Sequence, residues 1–319
     1  MTGGGFAPLV LLGRCSDERA ELLVVDRGPA GAAPGVRIEG RLTGPRCSRG
    51  TMLPVDVVLE PLPPVPGGVA LARCILTEPA YWQPDVPALY RLEARLIGDG
   101  GTATAAVTVG LRRGGVRARS LWLEGRRYVP RGVSCPALTA GLADELRAAA
   151  AAAWITDPDE RSLALAASAG VAVVARLSAA GGGDVAERLV DLATCPAVLL
   201  AVVAAGVPAA AVTAGLAGAG KRRGSLPVGW EVDGTRPPSA ATLPPVDALV
   251  ALLPGGADPA PGWRESPPVA LVAAATMPHP LTPVAVARRE CDRLQARLAA
   301  WGSGAGTGAT VPWAGYLVG

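Results

Sequence analysis

The rhythm of apolar residues changes once along this chain, near residue 118, and that change limits what the chain can fold into. Before it, short strand-like runs at 22–25, 35–42, 52–59, 69–76, 89–97 and 102–111 are separated by Gly and Pro clusters. Residues 89–96 read Leu-Tyr-Arg-Leu-Glu-Ala-Arg-Leu, the alternation of a half-buried strand. Several short strands at such spacing predict a β-sandwich. Gly98-Asp99-Gly100-Gly101 suits a hairpin turn between the last two.

After residue 118, wholly apolar strands alternate with helical stretches. A short hairpin around Glu124-Gly125 comes first, and a strand begins at Val133. Strands follow at 154–156, 171–177, 197–204, 227–232, 248–253, 269–274 and 315–318. Helices are expected at 142–153, 159–170, 184–193 and 282–301, the last with Thr282 as cap and Pro283 in its first turn. Strands apolar on both faces need helices on both sides or a closed sheet, and about eight of them predict a (β/α)8 barrel. Residues 207–225 and 254–268 read as loops rich in Gly and Pro. The predicted division is a β-sandwich over 1–118 and a barrel over 119–319.

Composition excludes several function classes. Asn is absent, Lys221 is the only lysine, and the net charge is +3. The basic runs Arg112-Arg113, Arg126-Arg127 and Lys221-Arg222-Arg223 are short, and no aromatic residue interleaves with them, so no nucleic-acid partner is expected. Cys15, Cys47, Cys74, Cys135, Cys195 and Cys291 form no C-x-x-C pair, and His279 is the only histidine, so no metal site and no cofactor are expected. Residues 1–12 lack the basic start and the long apolar run of a signal peptide. Residues 197–217 are apolar, but Gly206 and Pro208 interrupt them. The expectation is a reduced, cytoplasmic protein with no membrane partner.

Three fragments stand in a telling order. The first runs Trp82-Gln83-Pro84-Asp85-Val86-Pro87-Ala88-Leu89-Tyr90, the second is Gly110-Leu111-Arg112, and the third runs from Leu121 through Glu124-Gly125 to Arg131-Gly132-Val133. Together they resemble W-x-P-x-x-P-x-L-Y, G-x-R and L-x-x-N-G-x-x-x-x-x-R-G-V of glycoside hydrolase family 2. The resemblance implies an immunoglobulin-like sandwich handing over to a (β/α)8 barrel. The plain reading of Trp82 and Tyr90 is core packing.

The same resemblance implies where catalysis should sit. Retaining glycosidases need two carboxyl groups about 5 Å apart, and barrel enzymes place them at the C-terminal ends of strands. In the family the acid/base glutamate ends the fourth strand, after a segment matched here by Cys195-Pro196-Ala197-Val198. Ala205 and Gly206 fall on the Asn-Glu positions. The family's nucleophile is on the seventh strand, and its position falls on Ala273. Neither residue can do the chemistry, so a barrel without catalysis is expected, with a binding or assembly role and a carbohydrate or another protein as partner. The alternative is an active hydrolase with relocated carboxylates. Asp157, Asp159 and Glu160 follow one strand, and Glu231 and Asp233 end another. Their ordinary roles are helix cap and turn residue. Trp230 is placed to stack on a sugar or to fill the core.

One further pattern resembles a phosphate-binding loop. Gly215 to Lys221 has the G-x-x-x-x-G-K spacing, but Arg222 replaces the hydroxyl residue and Pro227 follows closely. A basic-tipped loop is expected there.

Overall fold

The computed structural model describes residues 6–26, 36–65, 69–99, 101–237, 243–265, 269–277, 281–303 and 312–319. His279 and Gly100 lie outside them. The chain forms two compact units, 1–112 and 113–319.

The first unit holds only strands. They are β1 (Pro8–Cys15), β2 (Arg19–Asp26), β3 (Arg37–Arg46), β4 (Val55–Val58), β5 (Glu60–Val65), β6 (Val69–Thr77), β7 (Leu89–Gly98) and β8 (Gly101–Val109). Two four-stranded antiparallel sheets result, ordered β1-β2-β6-β5 and β4-β3-β7-β8. Inward residues such as Leu22, Val24, Ile38, Leu42, Leu76 and Leu92 share one core. Trp82 and Tyr90 are buried, as core packing required. The Tyr90 hydroxyl accepts from the Ala80 N–H at 2.8 Å, and the Trp82 N–H donates to the Leu111 carbonyl at 2.6 Å. The turn segment is thereby tied back to its own sheet. Strands β1 and β5, not expected from the sequence, are both sheet edges, where Pro61, Pro63 and Pro64 can lack their N–H groups without breaking a central ladder.

The second unit starts with a three-stranded antiparallel sheet, β9 (Gly114–Arg117), β10 (Ser120–Leu123) and β11 (Arg126–Arg127). Both connections are two-residue turns with positive φ throughout: Ala118 at 47°, Arg119 at 63°, Glu124 at 50° and Gly125 at 72°. This is type I′ geometry, which matches strand twist but suits Asn and Gly far better than Ala. Ala118→Asn should therefore raise stability by about 0.5–1 kcal/mol, read as a higher midpoint in urea. Glu124 occupies the turn position where the resembled motif has Asn. Its carboxylate accepts from the Arg113 N–H at 2.8 Å and from the Arg113 guanidinium at 2.7 and 2.9 Å, which fastens the turn to the start of β9.

Eight parallel strands then close into a barrel: β12 (Arg131–Cys135), β13 (Ala152–Thr156), β14 (Val173–Leu177), β15 (Val198–Val203), β16 (Val228–Asp233), β17 (Ala248–Pro254), β18 (Ala270–Thr276) and β19 (Trp313–Val318). Its helices are α1 (Ala140–Ala148), α2 (Glu160–Ala169), α3 (Val185–Thr194), α4 (Ala209–Ala219) and α5 (Val284–Ser303). Helix α2 begins where Asp159 accepts from the Ser162 N–H at 2.8 Å and ends on Gly170, whose left-handed φ of 75° stops it. Residues 152 and 153, expected in a helix, open strand β13 instead.

Helix α4 corrects a second expectation. The 207–225 stretch is not a loop: Pro208 precedes eleven helical residues. Gly215, which reads as a breaker, is needed there because a Cβ would lie 2.5 Å from the Val185 side chain of α3. The G-x-x-x-x-G-K spacing thus runs off a helix C-terminus. No helix N–H groups face a phosphate, which removes the nucleotide-loop reading.

Register fixes which residues face the barrel axis. Trp154, Val174, Leu200, Val202, Val250, Val272, Ala274 and Leu317 pack in one interior cluster, with Leu121 of the hairpin joining it. Their direct neighbours across strands, Arg176 beside Val202 and Glu231 beside Val250, share that face.

Candidate functional site at the barrel mouth

In a parallel barrel the C-terminal strand ends and the loops after them form the mouth, and this is where chemistry is housed. Five carboxylates named from the sequence follow these strand ends, and two of them, Glu231 and Asp157, are held by arginines.

Glu231 lies on β16 and its side chain is wholly buried. Arg176, on β14, reaches across β15 and holds it in a two-pronged pair, with Nε to Oε1 at 2.6 Å and Nη2 to Oε2 at 2.9 Å. The Ala205 N–H adds a third bond to Oε2 at 3.2 Å. The Glu231 carboxylate therefore lies against the backbone just after β15, beside the position matched to the family's acid/base residue. The hydrogen bond to Glu231 is the main reason that the Arg176 pKa is raised.

Asp157 follows β13 in a left-handed conformation, φ 46°, that its own N–H secures by donating to the Arg176 carbonyl at 2.8 Å. Its carboxylate accepts from the Ser178 N–H at 2.9 Å, from the Ser178 hydroxyl, and from the Arg188 guanidinium of α3. Burial alone would raise its pKa. The bonds from Ser178 and the Arg188 charge outweigh burial and hold it below the usual carboxylate range. Such a group stabilises the fold above its unfolded pKa, and that contribution is lost as pH falls through the lower, folded value. A general acid for glycoside cleavage needs the opposite shift.

Asp233 ends β16, exposed, and takes the Thr235 N–H and hydroxyl at 2.9 and 2.7 Å. Those bonds, the hydroxyl's first, lower its pKa. It is a turn residue, as is common for Asp before Gly. Asp159 is the cap of α2, and Glu160 is its first residue. Trp230 pairs with Val203 and Leu249, so it faces away from the axis and away from any sugar in the mouth.

The two positions carried over from the family separate. Gly206 is exposed just beyond β15, and a Cβ there would meet nothing within 4 Å. Ala273 lies in the middle of β18, completely buried, between the inward-facing Val272 and Ala274. Strand alternation turns it to the outer, helix-covered side. The two positions that the resemblance assigns to the family's glutamates would face each other across the mouth, and Gly206 and Ala273 do not. The inward positions toward the end of β18 are Ala274 and Thr276, and β18 contains no carboxylate in any phase.

Sequence reading missed Arg176, Ser178 and Arg188, which decide what the carboxylates can do. A signal was present for the first: Arg176 is a lone charge in the otherwise apolar Val-Val-Ala-Arg-Leu strand.

Among solved structures, the chain resembles a β-glucuronidase from Ruminococcus gnavus in complex with D-glucaro 1,5-lactone, with TM-score 0.62 and 12% identity, covering 98% of this chain and 60% of that one. The Parabacteroides merdae β-glucuronidase gives 0.58 and 16%, over 97% and 46%. A putative β-galactosidase from Bacteroides fragilis gives 0.55 and 18%, over 78% and 42%. The fold is that of family 2 glycosidases. No protein-family model matches the sequence, and no curated protein does. The chain spans only 42–60% of the length of these three family 2-like structures. Identities this low carry the architecture, an immunoglobulin-like sandwich and a (β/α)8 barrel, and leave the chemistry to the residues at the mouth. Among the described residues, no helix is long and apolar enough to cross a membrane, and no group of three or more His, Cys, Asp or Glu is arranged to hold a metal ion.

Proposed function

We propose that this family 2-like barrel does not cleave glycosides and serves instead as a binding or assembly module, with a carbohydrate or another protein as its partner. One observation carries the reading: Glu231 and Asp157, the carboxylates that could replace the missing pair, are each neutralised by an arginine and filled with hydrogen bonds. A nucleophile must present a free lone pair to the sugar, and an acid must hold a proton near neutral pH. The arginine and backbone bonds occupy the Glu231 oxygens, and Asp157, with its pKa lowered, does not hold a proton near neutral pH.

A second reading has one observation in its favour. The Glu231 carboxylate touches the backbone at Ala205, beside the acid/base position, so a hydrolase with relocated carboxylates would start from this residue. One experiment separates the two. Purified protein is assayed on aryl β-galactosides, β-glucuronides and β-mannosides, and the expected rate equals the buffer blank. Turnover that disappears in Glu231→Gln or Asp157→Asn, with the fold retained, would establish the hydrolase instead.

A further inference from the structure

Arginine is concentrated in one short stretch at the start of the second unit and the residue before it. Between Arg112 and Arg131 stand seven arginines and a single acid, Glu124, a net of +6 against +3 for the entire chain. Three of the seven are absorbed locally. Arg112 is buried, Arg113 is held by Glu124, and Arg131 is held by Asp292 at 3.0 Å and Gln295 at 2.7 Å.

Arg117, Arg126 and Arg127 are exposed, and among the described residues no carboxylate pairs with them. Arg127 donates to the Trp313 carbonyl at 3.1 Å, which fixes its position and leaves its charge uncompensated. Strand pairing brings Arg117 and Arg127 together around Trp122, while Arg126, paired with Leu123, belongs to the opposite face. Arg127 and Gly115 lie directly opposite Trp122 on its two sides, and Arg117 lies opposite Ser120 on the same face. The other face of the sheet, with Leu121 and Val116, packs into the barrel core, so the basic face is backed by a rigid support.

Trp122 is itself fixed. Its indole N–H donates to the Arg117 carbonyl at 3.0 Å, and the Arg117 guanidinium lies 5.7 Å from the ring centre. Gly115 leaves the other flank open, since a Cβ there would meet nothing within 4 Å. The linear sequence conceals this arrangement, because no aromatic residue adjoins the arginine pairs until the hairpin closes.

We propose that this face binds an acidic oligosaccharide, with carboxylate or sulfate groups paired to Arg117 and Arg127 and one sugar ring laid against Trp122. Guanidinium groups match such anions in two-pronged geometry. The indole supplies the flat apolar surface that a pyranose face needs, with its polar edge already satisfied. An acidic peptide would use the charges and leave the tryptophan idle. The patch is separate from the barrel mouth, so it stands whether or not the barrel is catalytic.

The test measures binding of a heparin-derived hexasaccharide and of hexagalacturonate to the full chain by calorimetry. Cellohexaose, hexaglutamate and a single-stranded hexanucleotide are run in parallel. The expected result is binding of an acidic sugar that weakens about tenfold between 50 and 200 mM salt, as exposed charge pairs should. Arg117→Ala with Arg127→Ala should weaken it at least tenfold, Trp122→Ala should do the same, and Arg126→Ala, on the opposite face, should leave it within about twofold. If Trp122→Ala does not fold, Gly115→Val replaces it, because it closes the open flank and should give the same loss. The proposal is overturned if no acidic sugar binds, if hexaglutamate or the oligonucleotide binds as tightly, or if the changes at Arg117 and Arg127 or at Trp122 have no effect.

Discussion

Arg176→Ala is expected to destabilise the second unit by about 3–5 kcal/mol, because it strands the Glu231 carboxylate in the barrel interior. The Glu231 side chain has no exposed surface, and among the described residues it has no charged partner besides Arg176. The reciprocal change, Glu231→Ala, should cost less, about 2–3 kcal/mol, since the Arg176 side chain is 29% exposed and can turn toward water. That variant also leaves the Ala205 N–H without its acceptor. Replacing both together, Arg176→Met with Glu231→Leu, should be near neutral, because two apolar side chains avoid the desolvation that the ion pair must offset. Urea midpoints of the four proteins form a double-mutant cycle that isolates the pair. A small loss in Arg176→Ala would mean that Glu231 is not held by this arginine, and the neutralised-mouth reading would fall with it. Loss of the double variant would point to a role for the pair beyond its own charges.

Legibility in the sequence followed the physics of each element. Most barrel strands are legible because they are nearly continuous apolar runs, which burial on both faces explains; β12, Arg-Gly-Val-Ser-Cys, and the charged Arg176 and Glu231 depart from that pattern. That same property hid their phase. Ala270-Leu-Val-Ala-Ala-Ala275 offers no polar residue to mark which side faces the axis, so Ala273 could be placed on the right strand and on the wrong face. Helix α4 was hidden by Gly215 and Gly218, which local propensity counts against a helix and close packing on α3 requires. The Trp122 platform was hidden for another reason. Its partners are made neighbours by turns, and a turn of Ala118-Arg119 carries no Asn-Gly signature. The acidic candidates at the mouth could be named from strand ends, but their fate depends on Arg176, two strands from Glu231, and on Arg188 of helix α3.

The difference between strand and face has a measurable consequence at the two positions carried over from the family. Gly206→Glu should change stability by no more than about 0.5 kcal/mol, because the new side chain enters open space at an exposed turn. Ala273→Glu should cost more than about 3 kcal/mol. There the carboxyl would enter a fully buried layer, between Ala251 of β17 and Tyr316 of β19, with no charge partner in register. Burial raises the pKa of an unpaired carboxyl, so the neutral form is the one this layer tolerates. Its penalty is therefore greatest at neutral pH and shrinks as pH falls toward the carboxyl's unfolded value. Urea titrations at two pH values read both the size and the pH trend. Equal, modest losses at the two positions would mean that Ala273 faces the mouth after all. Neither variant nor the pair is expected to hydrolyse a glycoside, because a glutamate at 273 would point away from any sugar held at the barrel mouth.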